Sequence, residues 1–206
     1  MNLVVVDGYT MNPGDLDWSP LTRLLPSTIY DHTLPQQVVD RCIDAQVVVT
    51  NKVVFDRRMI ERLPKLRCLG VSASGYNIID LQAAREREIC VTNVPAYSTR
   101  SVAQMVFAHI LRFTQEVDAH SSSVRAGVWS ESHDFCFWNS PLIELQGLTL
   151  GIIGFGQIAR AVAEIGRAFG MNVIFYLYRR CMDAPEWAEQ VDLRTLFAQA
   201  DFISLH

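Results

Sequence analysis

Residues 148–171, LTLGIIGFGQIARAVAEIGRAFGM, constrain the fold more than any other stretch. An apolar run over 149–153 has the length of a buried strand, and a helical apolar pattern at Ile158, Val162, Ile165 and Phe169 follows it. Between them, Gly154-Phe155-Gly156-Gln157-Ile158-Ala159 spells G-x-G-x-x-A. Each small residue has a physical task there: Gly154 turns the chain sharply, Gly156 lets a pyrophosphate reach the backbone, and Ala159 lets the helix lie close to the sheet. The N–H groups of Gln157 and Ile158 then open the helix and face an anion. The motif alone is weak, and a tight turn that binds nothing is the alternative; the strand before it and the amphipathic helix after it favour a dinucleotide site.

The rest of the chain repeats that alternation. Apolar runs at 3–6, 27–30, 46–50, 67–73 and 89–93 read as strands, with helical patterns at 21–25, 35–45, 56–66 and 80–89 between them. Strand and helix in turn imply a parallel sheet covered on both faces, so residues 1–98 form one doubly wound domain. Ser101 and Gln104 have capping-box spacing, and Val102, Val106, Ile110, Phe113 and Val117 predict one long crossover helix over 101–126. Residues 127–147 hold Trp129, Phe135, Phe137 and Trp138 and read as an ordered arm, because so many large aromatics are rarely left in water. A second parallel unit follows in 99–206, with strands at 149–153, 172–176 and 201–205 and helices at 157–169 and 186–199.

Composition narrows the function. The net charge is -4, without a basic stripe, which excludes nucleic acid as a main partner. The five cysteines are scattered with no C-x-x-C pair, which fits a reducing, cytoplasmic compartment. No apolar run is long enough for a membrane span, and the start MNLVVVDGYT reads as a first strand, not a signal peptide. No metal-ligand spacing occurs; His133 and Cys136 read as packing residues and His109 as a core histidine. The residue that chooses between dinucleotides lies near the end of the second strand of the glycine-motif unit. There the chain has Leu177-Tyr178-Arg179-Arg180. Leucine accepts no ribose hydrogen bond, whereas Arg179 and Arg180 suit a 2′-phosphate, which tilts the choice between NAD and NADP toward NADP. Two solvent-facing arginines remain the alternative.

TNK at 50–52, VSASGYNIIDLQAARERE at 71–88, VTNVPAYSTRSVAQMVFAHIL at 91–111, the run at 127–163 and ADFISLH at 200–206 together resemble the D-isomer-specific 2-hydroxyacid dehydrogenases. The resemblance spans nearly the whole chain. It implies an α/β architecture, a flavodoxin-like substrate domain followed by the first half of a Rossmann domain. The implied activity is hydride transfer between NAD(P) and a small 2-hydroxy or 2-keto acid: D-glycerate, hydroxypyruvate or glyoxylate. It further implies a homodimer joined through the arm and the long helix. By the same resemblance, Ser74 and Gly75 offer backbone N–H groups to the substrate carboxylate, Asn77 lies near them, Asp80 caps the next helix, and Asn51 and Lys52 end a strand facing the same site. The family's catalytic arginine, glutamate and histidine match nothing here and are expected beyond residue 206; His206 matches a strand end. The chain therefore reads as shortened, with strand 149–153 left as an exposed apolar edge, poor solubility and little turnover. Two other readings stand beside it: a non-catalytic dinucleotide-binding or oligomerisation module, and a subunit completed by a second polypeptide. Three departures from the family pattern stand out. Glu88 occupies a helix end that usually takes glycine, Leu148 replaces lysine, and Leu177 replaces aspartate.

Overall fold

The computed structural model describes all 206 residues, which form two compact units, Met1–Tyr97 and Ser98–His206. In the first unit the elements run β1 (Leu3–Val5), α1 (Gly8–Met11), α2 (Ser19–Thr22), β2 (Ser27–Ile29), α3 (Val38–Cys42), β3 (Val47–Thr50), α4 (Arg57–Glu61), β4 (Cys68–Val71), α5 (Leu81–Glu86) and β5 (Cys90–Thr92). The five strands are all parallel, in the order β2-β1-β3-β4-β5. This is a doubly wound sheet whose order reverses between β1 and β3. Val4, Val6, Val48, Phe55, Ile60, Leu63 and Leu69 form its core. Burying each such side chain stabilises the unit by about 1.5–3 kcal/mol. Two helices start on aspartate caps: Asp56 accepts from the Met59 N–H and Asp80 from the Ala83 N–H, each at 2.8 Å. The cap expected at Asp80 is therefore present.

The second unit opens with α6 (Thr99–Gln115), α7 (Val117–Arg125) and α8 (Val128–Glu131). The single helix expected over 101–126 is interrupted, because Glu116 adopts a left-handed backbone at φ 45 and ends α6. The Glu116 carbonyl then accepts a hydrogen bond from His120 at 3.0 Å, and the Asn139 N–H of the arm donates to the other nitrogen of that ring at 3.2 Å. The start is also shifted. Ser98, not Ser101, occupies the cap position, and Ser101 lies inside the helix with no capping hydrogen bond. The buried face is Ala103, Phe107, Ile110 and Thr114; of the expected stripe, Ile110 is buried and Val102 and Val106 are partly so, whereas Phe113 and Val117 are exposed. Ala103 is small enough for close approach, and Phe107 stacks on Phe169 at 5.4 Å. His109 is exposed, so it is not a core histidine, and His133 is exposed as well, so it does not pack into the arm as expected. The arm is held by the Trp129 indole N–H on the Phe135 carbonyl and by Trp129 packed edge-on against Phe137. Yet Phe135 is 91% and Trp138 67% exposed, since nothing in this unit covers them.

The remaining elements are β6 (Thr149–Ile153), α9 (Gln157–Ala168), β7 (Asn172–Tyr176), β8 (Ala188–Gln190), α10 (Leu193–Gln199) and β9 (Phe202–Leu205). The sheet is parallel with order β8-β7-β6-β9, and two expectations fail here. The helix read over 186–199 is a strand followed by a shorter helix. The strand, Ala-Glu-Gln, is an edge whose polar side chains gave no apolar signal. Consequently the strand near 201–205 is the fourth, not the third. It pairs with β6 from Leu150↔Phe202 to Ile153↔Leu205, so β6 is a central strand with Leu150 and Ile152 fully buried. The edge opposite β8 is β9, where Ile203 is 44% and Leu205 76% exposed.

Glu88 has φ 56 at the end of α5, a conformation that costs a side-chain-bearing residue about 1 kcal/mol relative to glycine. Glu88→Gly is therefore expected to raise the thermal midpoint by about 3 °C. An unchanged or lower midpoint in a calorimetric scan contradicts the strain assigned to this position.

Candidate functional site

In the second unit, the turn after β6 carries the G-x-G-x-x-A residues. Gly154 has φ +90, and a Cβ on it would drive into the His206 backbone carbonyl oxygen. Only glycine meets both conditions. The Phe155 side chain turns inward, is buried, and stacks on Phe175 with ring centres 3.8 Å apart, so it leaves the face of the turn clear. Gly156 is exposed, and a Cβ on it would meet nothing within 4 Å. Ala159 is fully buried where α9 crosses the sheet.

Gly156 occupies the cap position of α9, and no side chain caps this helix. The contrast is with α4, α5 and α10, each closed by an aspartate carboxylate. The leading N–H groups, those of Gln157 and Ile158 among them, have no acceptor within the helix. They form a row of donors at the positive end of a twelve-residue helix dipole.

The chain leaving β7 lies beside this turn. Tyr178, Arg179 and Arg180 are exposed, Leu177 is partly buried, and neither arginine forms an ion pair. The loop is nonetheless fixed. Gln190 donates to the Leu177 and Arg179 carbonyls at 3.3 and 3.0 Å and accepts from the Cys181 N–H at 2.8 Å. Arg160 lies over the Phe155 ring at 4.8 Å and pairs with Asp183 at 2.8 Å, so one residue ties the glycine turn to the loop after β7. Its partner's carboxyl is held below the usual range, by the Cys181 thiol hydrogen bond first and the Arg160 charge second. Gln190, Arg160 and Asp183 were not singled out from the sequence. Gln190 belongs to the strand that was read as helix, which hid its role.

In the first unit, the residues expected near substrate lie on loops at the C-terminal ends of parallel strands, which all open on one edge of the sheet. Asn51 and Lys52 follow β3. Their N–H groups donate to the buried Asp7 carboxylate, at 2.9 and 3.0 Å from Asn51 and at 2.6 Å from Lys52. The Asn51 amide donates to Thr10 Oγ1 at 3.1 Å, while the Lys52 side chain is exposed. Ser74, Gly75 and Asn77 follow β4 and are exposed. The Ser74 hydroxyl donates to the Val94 carbonyl at 3.1 Å and the Asn93 amide to the Ser74 carbonyl at 2.8 Å, while the Ser74 and Gly75 N–H groups donate to no acceptor within the chain. A Cβ on Gly75 would make only an ordinary 3.5 Å contact with Asn77 Oδ1, so packing does not demand glycine there. A cavity of about 430 Å³ opens beside the β1/β3 reversal, bounded by Asp7, Thr10, His32, Lys52, Val53 and Met59. Of the expected substrate residues only Lys52 lines it. Asp7 is the residue that sequence reasoning missed; its signal is an acidic side chain closing the apolar run LVVV.

The family described as D-isomer specific 2-hydroxyacid dehydrogenase, catalytic domain, matches residues 17–200. A hydroxypyruvate reductase of Blautia hydrogenotrophica is 42% identical over 210 residues, covering 100% of this chain and 65% of that protein. The chain thus spans less than two thirds of this relative's length. Among solved structures, D-lactate dehydrogenase from Aquifex aeolicus complexed with NAD and lactic acid aligns with TM-score 0.77 and 27% identity, over 100% of this chain and 60% of that one. An acyclic imino acid reductase in complex with NADPH and D-Arg aligns with TM-score 0.77 and 26% identity, over 100% and 65% respectively.

Asp7 holds the β3 exit loop by accepting hydrogen bonds in a buried position. Asp7→Ala leaves the Asn51 and Lys52 N–H groups without an acceptor, and urea unfolding is expected to show a loss of about 2–3 kcal/mol. A loss below about 0.5 kcal/mol, the range of an ordinary surface substitution, would remove Asp7 from this role.

Proposed function

The chain belongs to the D-isomer-specific 2-hydroxyacid dehydrogenase family, and from that premise we propose that it carries the dinucleotide-binding turn and the carboxylate-binding loop of an NAD(P)-dependent oxidoreductase. The reaction of the whole protein is then the reduction of a small 2-keto acid such as hydroxypyruvate or glyoxylate to the 2-hydroxy acid, or its reverse. The keto carbon takes a hydride from the reduced nicotinamide, the carbonyl oxygen takes a proton, and the oxidised dinucleotide leaves. Similarity to a hydroxypyruvate reductase supports hydroxypyruvate, and hence D-glycerate, as the first substrate pair to test.

The observation that carries this reading is the uncapped start of α9 beneath an unobstructed Gly156. Main-chain donors, a helix dipole and an absent side chain meet there, and together they fit a pyrophosphate. In this reading Gly154 and Gly156 shape the turn, and Gln157 and Ile158 donate from the backbone. Arg179 and Arg180, on a loop fixed by Gln190, receive the 2′-phosphate of NADP. In the first unit, the N–H groups of Ser74 and Gly75, which have no acceptor within the chain, receive the substrate carboxylate, with Asn77 beside them. Asn51 and Lys52 border the same edge, Lys52 adding positive charge.

None of the chain's histidines lies within ion-pair distance of a carboxylate. Our reading therefore assigns binding, and no proton transfer, to these residues. A homodimer is part of the proposal, because Phe113, Val117, Trp129, Phe135 and Trp138 leave a broad apolar surface in water on α6, α7 and the arm. Sedimentation at micromolar concentration showing only monomer would sink the dimer. A cytoplasmic location agrees with five free cysteines.

The test is calorimetric titration of the chain with NADPH and NADH. Gly156→Ala places a methyl group in open space, so the fold and melting midpoint should be unchanged. Dinucleotide binding should weaken about tenfold or more, about 1.4 kcal/mol, because the methyl occupies the pyrophosphate's approach. Arg179→Ala with Arg180→Ala should weaken NADPH binding and spare NADH. Unchanged binding in Gly156→Ala refutes the site, and equal losses for both cofactors refute the 2′-phosphate assignment.

A further inference from the structure

Cys68 and Cys90 are the first residues of neighbouring parallel strands, β4 and β5, and are direct partners in register. Two residues on, a Cβ built at Gly70 would stand 3.7 Å from Thr92 Oγ1, so Gly70 and Thr92 present the same face of the sheet. Side chains alternate faces with a period of two. Cys68 and Cys90 therefore project from that same face, side by side. Neighbouring strands run about 4.8 Å apart, inside the Cα separations of about 4.4–6.8 Å that disulfides bridge. The other cysteines have no such partner: no strand pairing opposes Cys42, Cys136 or Cys181 to another cysteine.

We propose that Cys68 and Cys90 form a reversible disulfide site, closed by exchange with a small-molecule disulfide of the glutathione type. Both sulfurs have a part assigned by exposure. β5 is the edge strand of its sheet, and Cys90 is exposed on it. Cys90 is the sulfur that a solution disulfide reaches. Cys68 is only partly accessible, and its thiol is pushed up by burial and by the Cys90 sulfur next to it. It is a poor first nucleophile and a well-placed second one. In the first step the Cys90 thiolate attacks one sulfur of the oxidised glutathione, forming a mixed disulfide and releasing one glutathione thiolate. In the second, Cys68 loses its proton to solvent and attacks the Cys90 sulfur, releasing the other. Two protein thiols are oxidised and one glutathione disulfide is reduced to two thiols.

Cys90 stands exposed on an edge strand, and exposed disulfides are the readily reduced ones, so the site is reversible. Closure fixes β5 to β4 at the end opposite the Ser74 loop. That loop already depends on this pairing through the Asn93 amide on the Ser74 carbonyl and the Val94 N–H on the Ala73 carbonyl. Cys42 is an internal control, since full burial pushes its thiol up to about 12.

The experiment incubates the native 206-residue chain with oxidised glutathione, blocks remaining thiols with iodoacetamide, and maps peptides by mass. The expected product is a Cys68–Cys90 crosslinked peptide, two hydrogens lighter than the reduced pair and lost on treatment with dithiothreitol. Cys42 should remain unmodified. Cys68→Ser should stop at a glutathione adduct on Cys90, and Cys90→Ser should leave Cys68 largely unreacted. The proposal is overturned if wild-type protein, folded by circular dichroism, accumulates the Cys90 adduct without the crosslink. It is equally overturned if neither cysteine reacts.

Discussion

The turn at Gly154 depends on a contact between two strand ends. β9 runs parallel to β6 and ends beside it, with the His206 N–H on the Ile153 carbonyl at 2.9 Å. The chain leaving β6 must therefore pass against the His206 carbonyl that follows β9, and only a residue without a Cβ and with positive φ can do so. That constraint sets the direction in which α9 starts. Phe155 is turned into the core, Gly156 is left in solvent, and the first N–H groups of α9 face outward. The outward row of main-chain donors at the turn follows from packing between strands, with no charged side chain required.

The same logic of parallel strands places the first unit's loops. Every strand of that sheet ends on one edge, and the loops after β1, β3 and β4 meet there. A loop with free backbone donors needs a rigid support, and the chain provides it differently at each position. Asp7, from the end of β1, gathers the N–H groups after β3, while Asn93 and Val94, from the end of β5, brace the loop after β4. Polar groups that would otherwise be unsatisfied are used as struts, and the N–H groups of Ser74 and Gly75 are left without an acceptor in the chain.

Much of this was legible in the sequence where one physical signal dominated. The apolar runs of β1, β3, β4, β6 and β7, the Asp80 cap and the glycine turn each rest on local chemistry that tertiary context does not override. The failures have separate causes. β8 has no apolar alternation because it is an edge strand, so its three residues were absorbed into the helix that follows. That error displaced β9 by one place in the sheet and made β6 seem exposed. The break at Glu116 is a backbone choice stabilised by His120 and the arm, and no residue type announces it. The aromatic arm was expected to bury its rings, yet Phe135 and Trp138 stand exposed, because no other part of this unit packs over them. Arg160, Gln190 and Asp7 act through partners distant in sequence, which a linear reading does not join.

The central claim is that the main-chain N–H groups opening α9 receive a diphosphate. The most direct measurement is the amide spectrum of isotopically labelled protein during titration with ADP-ribose, which carries the diphosphate and lacks the nicotinamide. The account predicts saturable shifts centred on Gly156, Gln157 and Ile158, with the Arg179–Arg180 loop moving less. Shifts confined to other parts of the chain, or no shift at saturating ligand, contradict it.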